Sequence, residues 1–289
     1  MSENWPTGPP KPTRLRQLCF VTRYPDRDRF LLTKVLNTSL VFDNGKMENW
    51  GLMNAVVPIG GDFIELVWPT RPDASGARFL TKLQADCAGY MLILQTRDAL
   101  KRRKAIEAAE LGRILWTNGD KETSFASQYD PRVVKGNVMP ELDTMWPSKE
   151  FPEMLDTAVS PWHGFPGDFG VYSKEMRRTA HMKIAKVTFR LKEGDDDILG
   201  AVKGWRDIFG VPLVGTTSVF TNATMEFLPG EKGRREGLES VTITVEGKKD
   251  FEGILKRASE EGLCGDGWIN LCGVKWYFVY AGEGSVSKL

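Results

Sequence analysis

The stretch Trp50-Gly-Leu-Met-Asn-Ala-Val-Val-Pro-Ile-Gly-Gly-Asp-Phe-Ile-Glu-Leu-Val-Trp-Pro69 sets two apolar, β-type runs on either side of Gly60-Gly61. A Gly-Gly pair supplies the positive φ angles of a two-residue turn without a Cβ penalty, so the runs are expected to fold back on each other. In that register Ile59 faces Asp62, Val56 faces Glu65 and Asn54 faces Val67. Alternation then lines one face with Trp50, Leu52, Asn54, Val56, Phe63, Glu65 and Val67. Glu65 is the lone carboxylate on this apolar face. If the face is buried, Glu65 requires a hydrogen-bond donor, a cation or a raised pKa; if the strand lies at an edge, it points to water.

Composition bounds what surrounds the hairpin. With 289 residues, 41% of them hydrophobic, the chain can build cores for two ordinary domains. Its 39 basic and 38 acidic residues leave a net charge of +1, which offers no field to draw in nucleic acid or an anionic membrane. Met1 to Pro12 is polar and Pro-rich, with no apolar core of the secretory type, and no run reaches membrane-spanning length, so the cytoplasm is the expected compartment. Cys19, Cys87, Cys264 and Cys272 lack any C-x-x-C spacing and are expected as reduced thiols. Two histidines, His163 and His181, exclude any site that needs three imidazoles.

In chain order, residues 1–14 form an expected flexible arm. Structure should start near Leu15, with a strand to Thr22, a helix over 26–36, a strand over 39–42, and then the hairpin. Residues 77–84 suit a short helix and Tyr90 to Gln95 a buried strand. A helix capped by Asp98 runs to Leu111 and stops at Gly112. Its Lys101-Arg-Arg-Lys104 cluster reads as a solvated face. Strands at 113–116 and 138–143 follow. Residues 146–173 show neither helical nor strand periodicity. Beyond them come a strand at 184–191, a helix at 196–209 ended by Gly210, and a hairpin at 218–228. A strand at 238–245, a helix capped by Asp250 and a hairpin at 268–280 complete the chain, with a flexible tail over 282–289.

Strand, helix and returning strands thus recur four times, a repeat of about 70 residues. The endings Ile64-Glu65-Leu66-Val67-Trp68-Pro69 and Pro140-Glu141-Leu142-Asp143-Thr144-Met145-Trp146-Pro147 both place Glu-Leu on a last strand shortly before Trp-Pro. No phosphate-type Gly loop is present, which disfavours a nucleotide cofactor and a doubly wound sheet.

In these features the chain resembles the vicinal oxygen chelate superfamily, which groups glyoxalases, bleomycin-resistance proteins and extradiol dioxygenases, and more closely its glyoxalase-like members. The resemblance covers Leu15 to Asp143 and, more thinly, Ile184 to Tyr280. It implies an α+β fold of tandem, paired βαβββ modules, with mixed curled β-sheets and helices on their outer face. The implied division is a two-module domain over 15–145, a linker over 146–183 and a degenerate second domain over 184–281. In such proteins a divalent metal sits between first-strand and last-strand residues of two modules. Carried over, Gln17 and Glu65 fill those places in the first module, and Met91 and Glu141 in the second. Gln17, Glu65 and Glu141 would then hold Mg²⁺, Mn²⁺ or Zn²⁺, while Met91 is no ligand for a hard cation. Tyr129-Asp130-Pro131-Arg132 stands where members of this group carry a His-Pro-Arg-Asp-type motif. Arg132 either clamps a substrate oxygen or belongs to an Asp-Pro turn.

The resemblance implies a lyase- or isomerase-type enzyme that removes a proton next to a carbonyl of a small oxygenated molecule. Glu65 and Glu141 would be its catalytic carboxylates, and Asn54, Trp50, Phe63, Met91 and Arg132 would contact the substrate. The alternative is a small-molecule binding or sequestering protein of the resistance type, in which the same cleft holds a ligand without turnover. A second copy of the chain, as a homodimer, is compatible with either; nucleic acid and membrane are not expected partners. His163 and His181 fall in connecting segments, where packing and acid–base work are the competing roles.

Overall fold

Hydrophobic alternation followed by helical spacing recurs along this chain, and the computed structural model, which describes residues 12–120 and 122–282, turns each recurrence into a module. The first comprises β1 (Thr13–Thr22), α1 (Pro25–Leu36), β2 (Phe42–Met47), β3 (Leu52–Ile59) and β4 (Asp62–Pro69), followed by a short α2 (Ser75–Leu83). The second comprises β5 (Cys87–Thr96), α3 (Ala99–Ala108), β6 (Ile114–Gly119), β7 (Ser124–Tyr129) and β8 (Met139–Met145). After α4 (Phe169–Arg178) the third runs through β9 (Met182–Arg190), α5 (Ile198–Phe209), β10 (Leu213–Val214), β11 (Thr217–Val219) and β12 (Thr224–Leu228). The fourth has two returning strands: β13 (Gly237–Val245), α6 (Lys248–Glu260), β14 (Ile269–Leu271) and β15 (Val274–Tyr280). The fold is α+β, built of tandem modules of strand, helix and returning strands, whose strands belong to two mixed sheets. Most of the expected arm and tail, residues 1–11 and 283–289, lie outside the described residues.

By their contacts the described residues form two compact units. Unit one holds the segments up to Arg16, Met91–His163 and Val187–Leu238; unit two holds Gln17–Tyr90, Gly164–Lys186 and the segment from Glu239. The first and fourth modules thus share unit two, and the second and third share unit one. In unit two the ring of Phe20 stacks on Trp276 at 5.8 Å, α1 packs on α6, and Arg257 Nε donates to the Val35 carbonyl at 3.1 Å. In unit one Arg102 is turned inward, donating to Thr13 Oγ1 at 2.8 Å and to the Phe209 carbonyl at 2.7 Å. The basic cluster of α3 is therefore not wholly a solvated face: Arg102 fastens that helix to the third module.

The Gly60-Gly61 hairpin forms in the expected register, with Asn54 opposite Val67, Val56 opposite Glu65 and Ile59 opposite Asp62. Of the glycine pair only Gly60 has a positive φ, 58°. The strand order β2-β3-β4-β1 places β4 between two neighbours, and β1 pairs with it in parallel, Gln17 opposite Phe63 and Cys19 opposite Glu65. Glu65 is therefore not on an edge. The second module repeats the pattern in the order β5-β8-β7-β6, with Ile93 opposite Glu141 and Gln95 opposite Asp143.

Several boundaries differ from expectation for physical reasons. β2 occupies 42–47 rather than 39–42, because it is an edge strand whose exposed Asp43 and Asn44 break any apolar alternation and which bends where Asn44 takes a φ of 57°. α3 ends at Ala108, two residues before Glu110 turns left-handed with a φ of 53°. Thr13 and Arg14, expected in the arm, are buried in β1. α4 lies inside the expected linker, its N-terminus capped by Asp168, which accepts from the Gly170 N–H at 2.7 Å. Gly247, not Asp250, is the cap residue of α6. Among the described residues no helix is long and apolar enough to cross a membrane.

Candidate active site

In unit two, alternation on β4 turns Glu65 to the same side as Phe63, and β1 and β3 bring Gln17 and Asn54 to its flanks. Gln17 Nε2 donates to Glu65 Oε2 at 2.8 Å and Asn54 Nδ2 donates to Oε1 at 2.7 Å, so each carboxylate oxygen holds one amide N–H. Glu65 is only 7% exposed. Burial pushes its pKa above the ordinary carboxylate value, and the hydrogen bonds from Asn54, Gln17 and Cys19 oppose that rise without cancelling it. Asn54 Oδ1 is buried and has no hydrogen-bond partner among the described residues. This amide can therefore turn over and accept where it now donates.

Aromatic rings gather around Phe63, two residues before Glu65 on the same face of β4. Phe63 is fully buried, with Phe165 edge-on at 5.2 Å and Tyr172 at 6.4 Å; Phe165 also stacks on Phe42 at 5.9 Å. Phe165 and Tyr172 come from the expected linker, so that stretch is part of unit two's core. Trp50 is half-buried beside the hairpin.

The second module's candidates lie in unit one. Glu141 is buried on β8 beside Asp143, and burial together with the neighbouring carboxylate drives the Glu141 pKa well above its usual range. The Asp143 pKa is also raised well above its ordinary value, by burial. His163 Nε2 lies 3.1 Å from Asp143 Oδ2, within ion-pair reach but off the line of a straight hydrogen bond. Met91 is buried on β5. Arg132, at 77% side-chain exposure, is held at the surface by Asp130, whose Oδ2 accepts from its Nη2 at 2.6 Å. Arg132 lowers the Asp130 pKa to about 2, the behaviour of the Asp-Pro turn rather than of a substrate clamp.

The expected metal ligands are divided between the units, Gln17 and Glu65 in unit two and Glu141 in unit one. Gln17 turns an N–H, not its oxygen, to Glu65. Within unit two this leaves one carboxylate, both of whose oxygens already accept amide protons. Among the described residues no group of three or more His, Cys, Asp or Glu is placed to hold a metal ion. Asp143 and Gln128 were not singled out from sequence, whereas His163 was read as a connecting-segment residue with packing and acid–base work as its competing roles. Only the i, i+2 spacing of Glu141 and Asp143 on one strand hinted at Asp143.

No family model matches the chain, and no curated protein matches it. Among solved structures, a hypothetical protein from Staphylococcus aureus is similar over 93% of this chain and 99% of its own, at 11% identity and a TM-score of 0.59. That likeness carries the fold. Methylmalonyl-CoA epimerase from Mycobacterium tuberculosis aligns with 46% of this chain and 89% of its own, at 18% identity and a TM-score of 0.40. A Streptomyces coelicolor methylmalonyl-CoA epimerase variant in complex with 2-nitronate-propionyl-CoA aligns with 46% of this chain and 98% of its own, at 18% identity and a TM-score of 0.41. No argument below rests on these half-chain alignments.

Proposed function

We propose that this chain is a glyoxalase-like enzyme that removes a proton from the carbon next to a carbonyl in a small oxygenated molecule, with Glu65 as the base. The observation that carries this reading is a buried carboxylate of raised pKa whose two oxygens are each oriented by an amide N–H. A base poised nearer neutral pH than an ordinary carboxylate takes a weakly acidic proton more readily and can also return it. Gln17 fixes Oε2, leaving Oε1 as the proton-accepting atom. Once Oε1 is protonated, Asn54 turns its amide so that Oδ1 accepts the new O–H, which satisfies an oxygen that has no partner beforehand. The ring of Phe63, beside Glu65, keeps water from solvating the carboxylate. No step passes through a metal.

The second reading, a binding protein without turnover, is favoured by one feature: Phe165 packs against Phe63 and Phe42 beside the carboxylate, so a ligand would be received among aromatic rings. Proton exchange separates the two. The protein is incubated in D₂O with a panel of small ketones, hydroxy-ketones and 2-oxo acids, and loss of the C–H signal next to the carbonyl is followed by NMR. The enzyme reading expects exchange with at least one compound, lost in Glu65→Gln. Binding without exchange in the wild type would favour the sequestering protein.

A further inference from the structure

Two of the four cysteines meet in unit two. Cys87 opens β5, Cys272 sits in the turn between β14 and β15, and both are buried. Leu271 pairs with Val274, so Cys272 and Gly273 make up the whole turn, and both take a positive φ, 52° and 73°. Two-residue turns of this kind favour Asn, Asp and Gly, and a Cys in the left-handed region carries backbone strain that the contacts of its side chain have to offset. What that side chain meets is Cys87: the two thiols lie within hydrogen-bonding reach of each other. The glycine lets the turn press onto β5. A Cβ at Gly273 would stand 2.2 Å from the Cys87 carbonyl oxygen and 3.5 Å from the Cys87 Cβ, so a larger residue would push the turn away.

The start of α1 gives the two sulfurs different surroundings. Asp28 is buried, and Arg27 Nη2 lies 2.9 Å from its Oδ1, with the Arg27 side chain 54% exposed. Burial first, then Cys87 and the Asp28 carboxylate, push the Cys272 thiol well above its ordinary pKa, so this sulfur keeps its proton. The Arg27 guanidinium is within electrostatic reach of Cys87 and itself borders solvent. Cys87 therefore stands beside a cation, the surroundings of an attacking sulfur, and Cys272 is a protonated partner in contact with it.

We propose that Cys87 and Cys272 form an oxidisable dithiol, a modification site separate from Glu65, which a hydroperoxide converts into a disulfide that ties the β14–β15 turn to the head of β5. The Cys87 sulfur, as thiolate, attacks one peroxide oxygen. The O–O bond breaks, the leaving oxygen departs as hydroxide and takes up the proton that Cys87 gave off, and Cys87 is left as a sulfenic acid. The Cys272 sulfur then attacks the Cys87 sulfur; the S–O bond breaks, and the hydroxyl leaves with the Cys272 proton as a second molecule of water. Two thiols are oxidised, one hydrogen peroxide is reduced to two waters, and a dithiol reductant reverses the change. In a reducing compartment such a pair is a transient sensor rather than a permanent staple.

Hydrogen peroxide is the probe, applied to the whole folded protein. After treatment the remaining thiols are blocked with N-ethylmaleimide in denaturant, and the peptides are mapped by mass before and after dithiothreitol. The expected result is a peptide in which Cys87 is linked to Cys272, two hydrogens lighter than its parts and split by dithiothreitol. The oxidised protein should also melt about 4 °C or more above the reduced one, because the bond closes a long loop. In Cys272→Ser the rise in Tm should vanish, and Cys87 should be recovered as sulfenic or sulfinic acid. Cys87 and Cys272 both blocked while the exposed Cys264 is oxidised, a bond from either to Cys264 or to a second copy, or the expected link with no rise in Tm would each overturn the proposal. If Cys272→Ser does not fold, the mapping and melting of the wild type decide alone.

Discussion

Replacing Glu65 by Gln keeps the side chain's shape and removes its charge, and the structure sets the size of the effect. Two amide N–H groups meet the carboxylate, Gln17 at 2.8 Å and Asn54 at 2.7 Å. Bonds to a charged group contribute roughly 1.5–3 kcal/mol and neutral ones roughly 0.5–1.5, so neutralisation weakens each by about 1 kcal/mol. The second bond survives because Asn54 can turn its unpartnered Oδ1 toward the new NH₂. Against that loss of about 2 kcal/mol stands the relief from burying a carboxylate, which costs several kcal/mol. At neutral pH the variant should be as stable as wild type or about 1–2 kcal/mol more so, which corresponds to a Tm higher by about 2–8 °C. The pH dependence has a definite sign. A carboxyl whose folded-state pKa is raised contributes stability that is full below the ordinary carboxylate value and lost as pH rises through the window up to the raised value. Wild type should lose stability relative to Glu65→Gln across that window, while exchange activity falls about 10²-fold or more in the variant. Thermal melts at a series of pH values, with the exchange assay run in parallel, provide the test. A variant that melts lower at neutral pH and retains its activity would refute the reasoning and leave Glu65 a structural partner only.

Three further substitutions test the frame around the site. Gly60→Ala forces a side chain onto a backbone with φ of 58° and brings its Cβ to 2.5 Å from the Met182 carbonyl oxygen, so urea melts should show a loss of about 2–4 kcal/mol. Phe165→Ala empties the place between Phe42 and Phe63, at a cost of about 3–5 kcal/mol by the same measure; amide hydrogen exchange should quicken on β4 and α4 rather than across unit one. Arg102→Met removes the donor to the Phe209 carbonyl and to the Thr13 hydroxyl, so chemical denaturation should show a loss of about 2–4 kcal/mol, while exchange at Glu65 persists in the folded fraction.

What could be read from sequence tracks how local the information is. The β3–β4 register was legible because a Gly-Gly turn and side-chain alternation specify it within a few residues, and Glu65 followed with its face. The αL stop at Gly210 is equally local. The partners of Glu65 were only half legible. Gln17 entered through the family resemblance and Asn54 through the register, but that both would donate N–H groups to the same carboxylate depends on the parallel pairing of β1 with β4, which brings together residues far apart in sequence. β7 and α4 were missed because Ser124–Tyr129 and Phe169–Arg178 carry weak periodicity and take their order from tertiary packing. His163 looked like linker for the same reason: its neighbour Asp143 lies on β8, and no local pattern announces that pairing. The inward turn of Arg102 in a run of four basic residues was likewise invisible, since charge patterning cannot tell which member of a cluster meets a buried carbonyl.

The claim that Glu65 is a buried base with an elevated pKa can be measured directly. With glutamate ¹³C-labelled at the side-chain carboxyl, the signal that disappears in Glu65→Gln identifies Glu65, and its shift is followed against pH. The account predicts a midpoint clearly above the ordinary carboxylate value. A midpoint at or below the ordinary value would contradict it, since Glu65 would then be a stabilised anion and a poor base for carbon acids.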